Sequence, residues 1–150
     1  MNIIIVDTCV LLCLFKNNAI GKKIEVAIDR LNDPTFIAST VTKGELESFV
    51  IQRNWGIKKR KELYKDLEEV IYLDINSSDE ELINAYAKID AFSKRKLSDP
   101  KGNLLVGSAK NMGKNDLWIA ATAHILNAPL MTTDGDFDHL DKIYLDVIKF

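Results

Sequence analysis

The sequence predicts an α/β domain, a central and mostly parallel β-sheet covered by helices. Three observations carry this. Asn2-Ile3-Ile4-Ile5-Val6-Asp7-Thr8 is a continuous β-branched run, the pattern of a strand buried on both faces and hence central in a parallel sheet. Short strand patterns alternate with helical ones along the rest of the chain. The 150 residues, 47% hydrophobic and 28% charged, suit one domain with a real core, and no linker, repeat or low-complexity tract divides them.

The elements follow in order. Thr8 to Lys16 reads as a short helix with Val10, Leu11, Leu14 and Phe15 as its apolar stripe, broken at Asn17-Asn18. A second helix spans Ala19 to Leu31, with Ile20, Ile24, Ala27, Ile28 and Leu31 on one face. After the turn Asn32-Asp33-Pro34 comes a strand from Thr35 to Ser39. The next helix carries Leu46, Phe49 and Val50 inward, and Thr42 and Glu45 stand at capping-box spacing near its start. Asn54-Trp55-Gly56 ends it. Ile57 to Glu69 is helical, Val70 to Leu73 a strand, and Ser78 to Lys94 a helix with Leu82, Ile83, Tyr86, Ile89 and Phe92 at helical spacing. Leu97 to Lys114 reads as a long loop with one helical turn near Leu104 to Val106, a length that marks functional or mobile segments. Asn115-Asp116 opens a strong helix that stops at Asn127-Ala128-Pro129. Leu130 to Thr133 is a strand ending on Asp134, Gly135-Asp136-Phe137 turns the chain, and Ile143 to Phe150 supplies the last strand.

No apolar run approaches the roughly 20 residues of a membrane span, and the N-terminus lacks the basic region and cleavage site of a signal peptide. With only Cys9 and Cys13, neither a disulfide framework nor a zinc site is expected; buried free thiols and a cytoplasmic setting are. The net charge of −2 decides nothing about partners, but its distribution is uneven. Between Ser93 and Asn115, six basic residues (Lys94, Arg95, Lys96, Lys101, Lys110, Lys114) face one acid, Asp99. An acidic stretch from Asp134 to Asp146 follows. That suits a metal site with a polyanion held beside it, the basic stretch on the backbone of the polyanion.

Four acids share one placement. Asp7 and Asp134 directly follow strands, while Glu45 and Asp116 are read in the first turns of helices. In a parallel sheet these positions lie on one edge, where ligands bind. The four can therefore converge despite spacings of 38, 71 and 18 residues. Clustered carboxylates repel and raise one another's pKa values, a conflict that a divalent cation removes. All-oxygen ligands select Mg²⁺ or Mn²⁺, which polarise a phosphodiester and acidify the attacking water. Two plainer readings compete: Asp7 or Thr8 as an ordinary helix N-cap, and Glu45 as half of a capping box.

Ile3-Ile4-Ile5-Val6-Asp7-Thr8, Ser39-Thr40-Val41-Thr42 with Gly44-Glu45-Leu46, Asn115-Asp116-Leu117-Trp118-Ile119-Ala120-Ala121 and Leu130-Met131-Thr132-Thr133-Asp134-Gly135-Asp136-Phe137 resemble, in order and over the whole chain, the motifs of PIN-domain ribonucleases, and most closely the VapC-type toxins of toxin–antitoxin pairs. The resemblance implies a three-layer α/β/α PIN-like fold over residues 1–150, Mg²⁺-dependent RNA cleavage, a homodimer, and a cognate antitoxin that blocks the site. It implies Asp7, Glu45, Asp116 and Asp134 as the catalytic, metal-binding quartet, Thr8 and Thr133 as polar support, and Asp136 as a supporting acid behind the quartet. Two departures stand out: the segment Lys94 to Gly113 is long, and position 9 is Cys where the family often has Asn or Ser.

Two rivals remain. A phosphatase of the haloacid dehalogenase type also begins with a hydrophobic strand ending in Asp, but needs Asp-x-Asp, and Cys9 stands at the second position. A catalytically silent PIN-like binding module is the other; losing carboxylates would mark it, and all four are present. Of the remaining polar and aromatic residues, His124 reads as structural, His139 as a remote candidate near a metal, Trp55 and Trp118 as core, Asp138 and Asp141 as solvated turn residues, and Lys58 to Lys61 as a mostly solvated run.

Overall fold

The computed structural model describes residues 2–150. β1 (Asn2–Val6) leads into α1 (Thr8–Lys16) and α2 (Ala19–Asp29), then β2 (Pro34–Ser39), α3 (Thr40–Gln52), α4 (Ile57–Asp66) and β3 (Ile71–Leu73). α5 (Glu80–Ser93), α6 (Lys114–Ile125), β4 (Leu130–Thr132), a 3-10 helix (Gly135–Leu140) and β5 (Val147–Lys149) complete the order. The five strands form one sheet, β3-β2-β1-β4-β5, parallel throughout. This is the three-layer α/β/α architecture the sequence predicts, with β1 at its centre.

The β-branched run explains that position. Side chains of a strand alternate between faces. Ile5 enters the core beneath α5 and α6 with Ile89, Phe92, Leu117 and Ile119, while Ile4 and Val6 enter the core beneath α1, α3 and α4 with Val10, Leu46, Val50 and Leu63. Each such burial contributes about 2 kcal/mol, and a polar residue at any of these three positions would forfeit one face of the sheet.

Some boundaries differ from the sequence reading. α3 starts at Thr40 because Ser39, ending β2 in extended conformation, caps it by accepting from the Val41 N–H at 3.3 Å. The expected Thr42–Glu45 capping box is therefore absent: Thr42 is buried inside the first turn and Glu45 lies in the second. Residues 97–113 contain no helical turn. Leu105 is buried between exposed Leu104 and Val106, in backbone without helical hydrogen bonds. Asp99 instead accepts from the backbone N–H groups of Lys101 and Asn103, and the Lys110 N–H bonds to the Ser93 carbonyl at 2.7 Å. The loop is long but fastened. The last strand is shorter than expected, starting at Val147. No helix of the described residues is long and apolar enough to cross a membrane.

Trp55 is half-buried between Phe15 and Phe49, with the Lys59 ammonium 3.9 Å from its ring centroid and Arg60 Nε donating to its carbonyl, so part of the basic run fastens this aromatic cluster. Trp118 packs on Tyr86 at 4.3 Å, and His124 Nδ1 pairs with the Tyr144 carbonyl at 2.6 Å, both structural placements.

α1 and α2 cross at Gly21, where a Cβ would stand 2.2 Å from the Cys13 carbonyl oxygen. Gly21→Ala gains about 1 kcal/mol of helix propensity, but the helices must part to admit the methyl group. The expected outcome is a net loss of about 2 kcal/mol and a melting temperature lower by about 5 °C. A stabilised variant in thermal denaturation would show that the crossing yields freely.

Candidate metal centre

The chain winds from β1 outward through β2 to β3, then returns to β4 and β5 on the other side. The order therefore reverses between β1 and β4, and in open parallel sheets such a switch point opens a crevice at the carboxyl ends of the strands. Asp7 follows β1 and Asp134 follows β4 by two residues, one on each side of that crevice.

Thr132, fully buried at the end of β4, ties the two together. Its hydroxyl donates to Asp7 Oδ2 at 2.8 Å and accepts from the Asp134 backbone N–H at 2.9 Å. Asp7 does occupy the N-cap position of α1, yet its side chain makes no capping hydrogen bond to that helix. The carboxylate is turned toward Thr132 instead, so the plain N-cap reading does not account for it. Asp134 is a true cap: its Oδ1 accepts from the Asp136 N–H at 2.9 Å and starts the 3-10 helix. One oxygen is thus spent on the backbone and the other remains.

Asp116 reaches the crevice from the first turn of α6. Gly113 at that helix's N-cap makes room for it, since a Cβ there would meet Asp116 Oδ2 at 3.0 Å. One carboxylate oxygen each of Asp116, Asp134 and Asp136 lie within 4.8 Å of one another. Asp136 thus stands in the close group rather than behind it. The only sequence signal for this was its spacing, two residues after Asp134 across a glycine turn. Glu45 approaches from α3, and its Oε1 is buried without a hydrogen-bond partner among the described residues, as are the hydroxyls of Thr8 and Thr42.

The charges reveal how close these groups are. Burial pushes Asp116 up to about 6, and Asp7, Asp134, Glu45 and Asp136 all add to the shift. Asp7 is raised by burial and by the charge of Asp134, against the opposing pull of the Thr132 hydroxyl and the Thr8 and Cys9 backbone. Glu45 is raised by burial and then by Asp7. Among the described residues, no lysine, arginine or histidine forms an ion pair with any of the five acids. Uncompensated buried carboxylates cost several kcal/mol each. The donor set is oxygen only, one buried oxygen is unpartnered, and no protein cation balances the charge. That combination fits a hard divalent cation; Asp116, Asp134 and Asp136 form the close group, while Asp7 and Glu45 lie outside it, near enough for their charges to act on Asp116.

Other candidates fall outside. Cys9 is exposed and Cys13 half-buried, not both buried as expected, and both are free. Desolvation and the Asp7 charge push the Cys9 thiol up to about 11, so it stays protonated and is no nucleophile. His139 is held by Ser93, its Nε2 2.7 Å from the Ser93 hydroxyl, and is not among the close acids. Asp138 pairs with Lys149 at 2.7 Å.

The PIN domain family model matches residues 4–143. No curated protein matches the chain. Among solved structures, VapBC-1 from nontypeable Haemophilus influenzae is 26% identical, with 98% of this chain and 97% of that one covered and a TM-score of 0.71. VapBC2 from Rickettsia felis, solved with a DNA fragment from its promoter, has a TM-score of 0.70 at 18% identity, with 98% of each chain covered. VapBC-5 from Mycobacterium tuberculosis, a member of the VapBC family of toxin–antitoxin systems, aligns over 100% of both chains at 19% identity and a TM-score of 0.64. A family match over nearly the whole length, on a parallel sheet with its acids at the switch point, decides the assignment: the chain belongs to the PIN-domain family, with structural neighbours that are VapBC toxin–antitoxin complexes.

Proposed function

We propose that this protein is an Mg²⁺- or Mn²⁺-dependent endoribonuclease of the cytoplasm, the toxin of a toxin–antitoxin pair. The single observation that carries the reading is a set of clustered carboxylates, Asp7 buried and Glu45, Asp116 and Asp134 half-buried, with no protein counter-charge, at the switch point of a PIN-domain sheet. Asp7, Glu45, Asp116 and Asp134 would hold the metal, and Asp136 joins them. When bound, the ion supplies Lewis-acid stabilisation of a phosphodiester and a water acidified enough to attack near neutral pH.

The chain's own residues prepare that chemistry. Thr132 holds the Asp7 carboxylate by one oxygen and fixes the Asp134 backbone with the same hydroxyl, so the two strand ends keep one geometry. Gly113 lets Asp116 lie close over the helix start. Such fixing by surrounding groups orients ligands and is worth roughly tenfold to a hundredfold in metal affinity or activity. The cognate antitoxin belongs to the same reading, supported by neighbours that are toxin–antitoxin complexes, and the homodimer is part of that reading.

Incubating the purified protein with total RNA and sequencing the new ends tests the activity. Discrete ends that form with Mg²⁺ or Mn²⁺ and vanish in EDTA are expected. Intact RNA under both conditions would instead favour the silent binding module, the rival whose fold is the same.

A further inference from the structure

A pocket of about 410 Å³ lies beside the acid cluster and shares only Asp136 with it. Lys110, Asn111 and Met112 of the fastened loop form one wall; Asp136, Asp138 and His139 of the 3-10 helix form the other. Asp136 belongs both to the pocket and to the close carboxylate group, so the two spaces are continuous.

The pocket walls are set from below. Ser93, at the end of α5 and fully buried, binds His139 Nε2 through its hydroxyl at 2.7 Å. The same hydroxyl lies 3.5 Å from Met112 Sδ, and the Ser93 carbonyl accepts from the Lys110 N–H at 2.7 Å. One buried residue thus fixes both walls at once. The charges sort themselves as well. Asp138 is neutralised by Lys149 and Asp136 faces the acid cluster, whereas Lys110 makes no ion pair among the described residues. Its ammonium stands close enough to His139 to help depress the imidazole's pKa, after burial. The Asn111 amide makes no hydrogen bond among the described residues and is exposed. A cation without a partner, a free amide and the Met112 side chain, mostly buried, together form a recognition set for phosphate, base edge and base face.

Resting on the ribonuclease reading, we propose that this pocket seats one nucleotide of the RNA adjoining the scissile phosphate, with Lys110 on its phosphate and the Asn111 amide on its base edge. Phosphate contacts position a strand without reading it, while base-edge contacts specify sequence. Single-stranded RNA exposes base edges and faces for such contact. The pocket would therefore fix the base preference beside the cut, and the acids the cut itself.

Two variants separate these roles, with CD spectra and melts confirming that both exposed substitutions fold. Asn111→Ala is expected to reduce the preference for one base beside the cut about tenfold in sequenced RNA ends. Lys110→Gln, tested by binding of a single-stranded RNA oligonucleotide in EDTA across a salt series, is expected to weaken affinity and lower the slope of log K against log salt by about 0.7, one phosphate's share. An unchanged base profile in Asn111→Ala, or a wild type that cuts without preference, overturns the base contact. An unchanged salt slope overturns the phosphate contact. Failure of the wild type to cut any RNA sinks the ribonuclease reading instead, and the salt series still reports on the pocket.

Discussion

Asp7→Asn should lower metal-dependent RNA cleavage about 1,000-fold, or roughly 4 kcal/mol of barrier, and should at the same time raise the melting temperature of the metal-free protein. The two effects have one cause. Asp7 is 4% exposed, and its only hydrogen-bonding side chain is a neutral hydroxyl. Its neighbours Glu45, Asp116 and Asp134 are all acidic. Without metal, the charge is buried at a cost that hydrogen bonds from Thr132 and the backbone offset only in part. Asparagine keeps an oxygen to accept from Thr132 and the volume that Asp7 fills, but removes the charge. A rise of about 2.5 °C is expected for each kcal/mol recovered. If Asp7 holds the metal as proposed, the missing charge is the one at the end of the central strand, and the ion loses a ligand. Full activity in the variant would take Asp7 out of the site, and a lower melting temperature would mean that the carboxylate is stabilised by a partner other than metal.

Most of the fold was legible because it rests on local patterns. The apolar run of β1 ends on a carboxylate, and the bounds of α1, Thr8 to Lys16, follow from its stripe and the Asn17-Asn18 break. Glu45 was placed one turn too early because Ser39 and Thr42 both carry capping chemistry, and only the end of β2 decides between them. Asp136 was set behind the other acids because its approach to Asp116 arises from packing of the 3-10 helix on α6, elements with no local signature of contact. The pocket beneath Lys110 was invisible for the same reason. Ser93 and His139 are 46 residues apart, and neither residue type nor spacing announces a pair. The loop from 97 to 113 read as functional or mobile, and its fastening was not visible because its anchors, buried Leu105 and Met112, look like isolated apolar residues in a polar stretch.

The metal-free protein should grow more stable as pH falls from about 6 toward 4, through the acid cluster, and saturating Mn²⁺ should reverse that order. Asp116 titrates at about 6 in the folded chain against 3.8 when unfolded, so between those values the folded state holds the extra proton. Its contribution is fully present below about 3.8 and is lost as pH rises through about 6. Asp7 and Glu45 are shifted in the same direction and add the same sign. Most carboxylates in proteins behave oppositely, so the comparison of wild type with Asp116→Asn isolates this term. Metal binding requires the deprotonated acids. A ligand at 100 times its Kd adds about 2.7 kcal/mol, and the cluster can accept it fully only above pH 6. Thermal melts in EDTA and in Mn²⁺ at pH 5 and 7.5 should therefore show a metal-induced shift that is large at 7.5, small at 5, and diminished at 7.5 in Asp116→Asn. A shift independent of pH, or equal in wild type and variant, would place the bound metal elsewhere on the protein. The clustered acids would then be a cost that the fold bears for some other purpose.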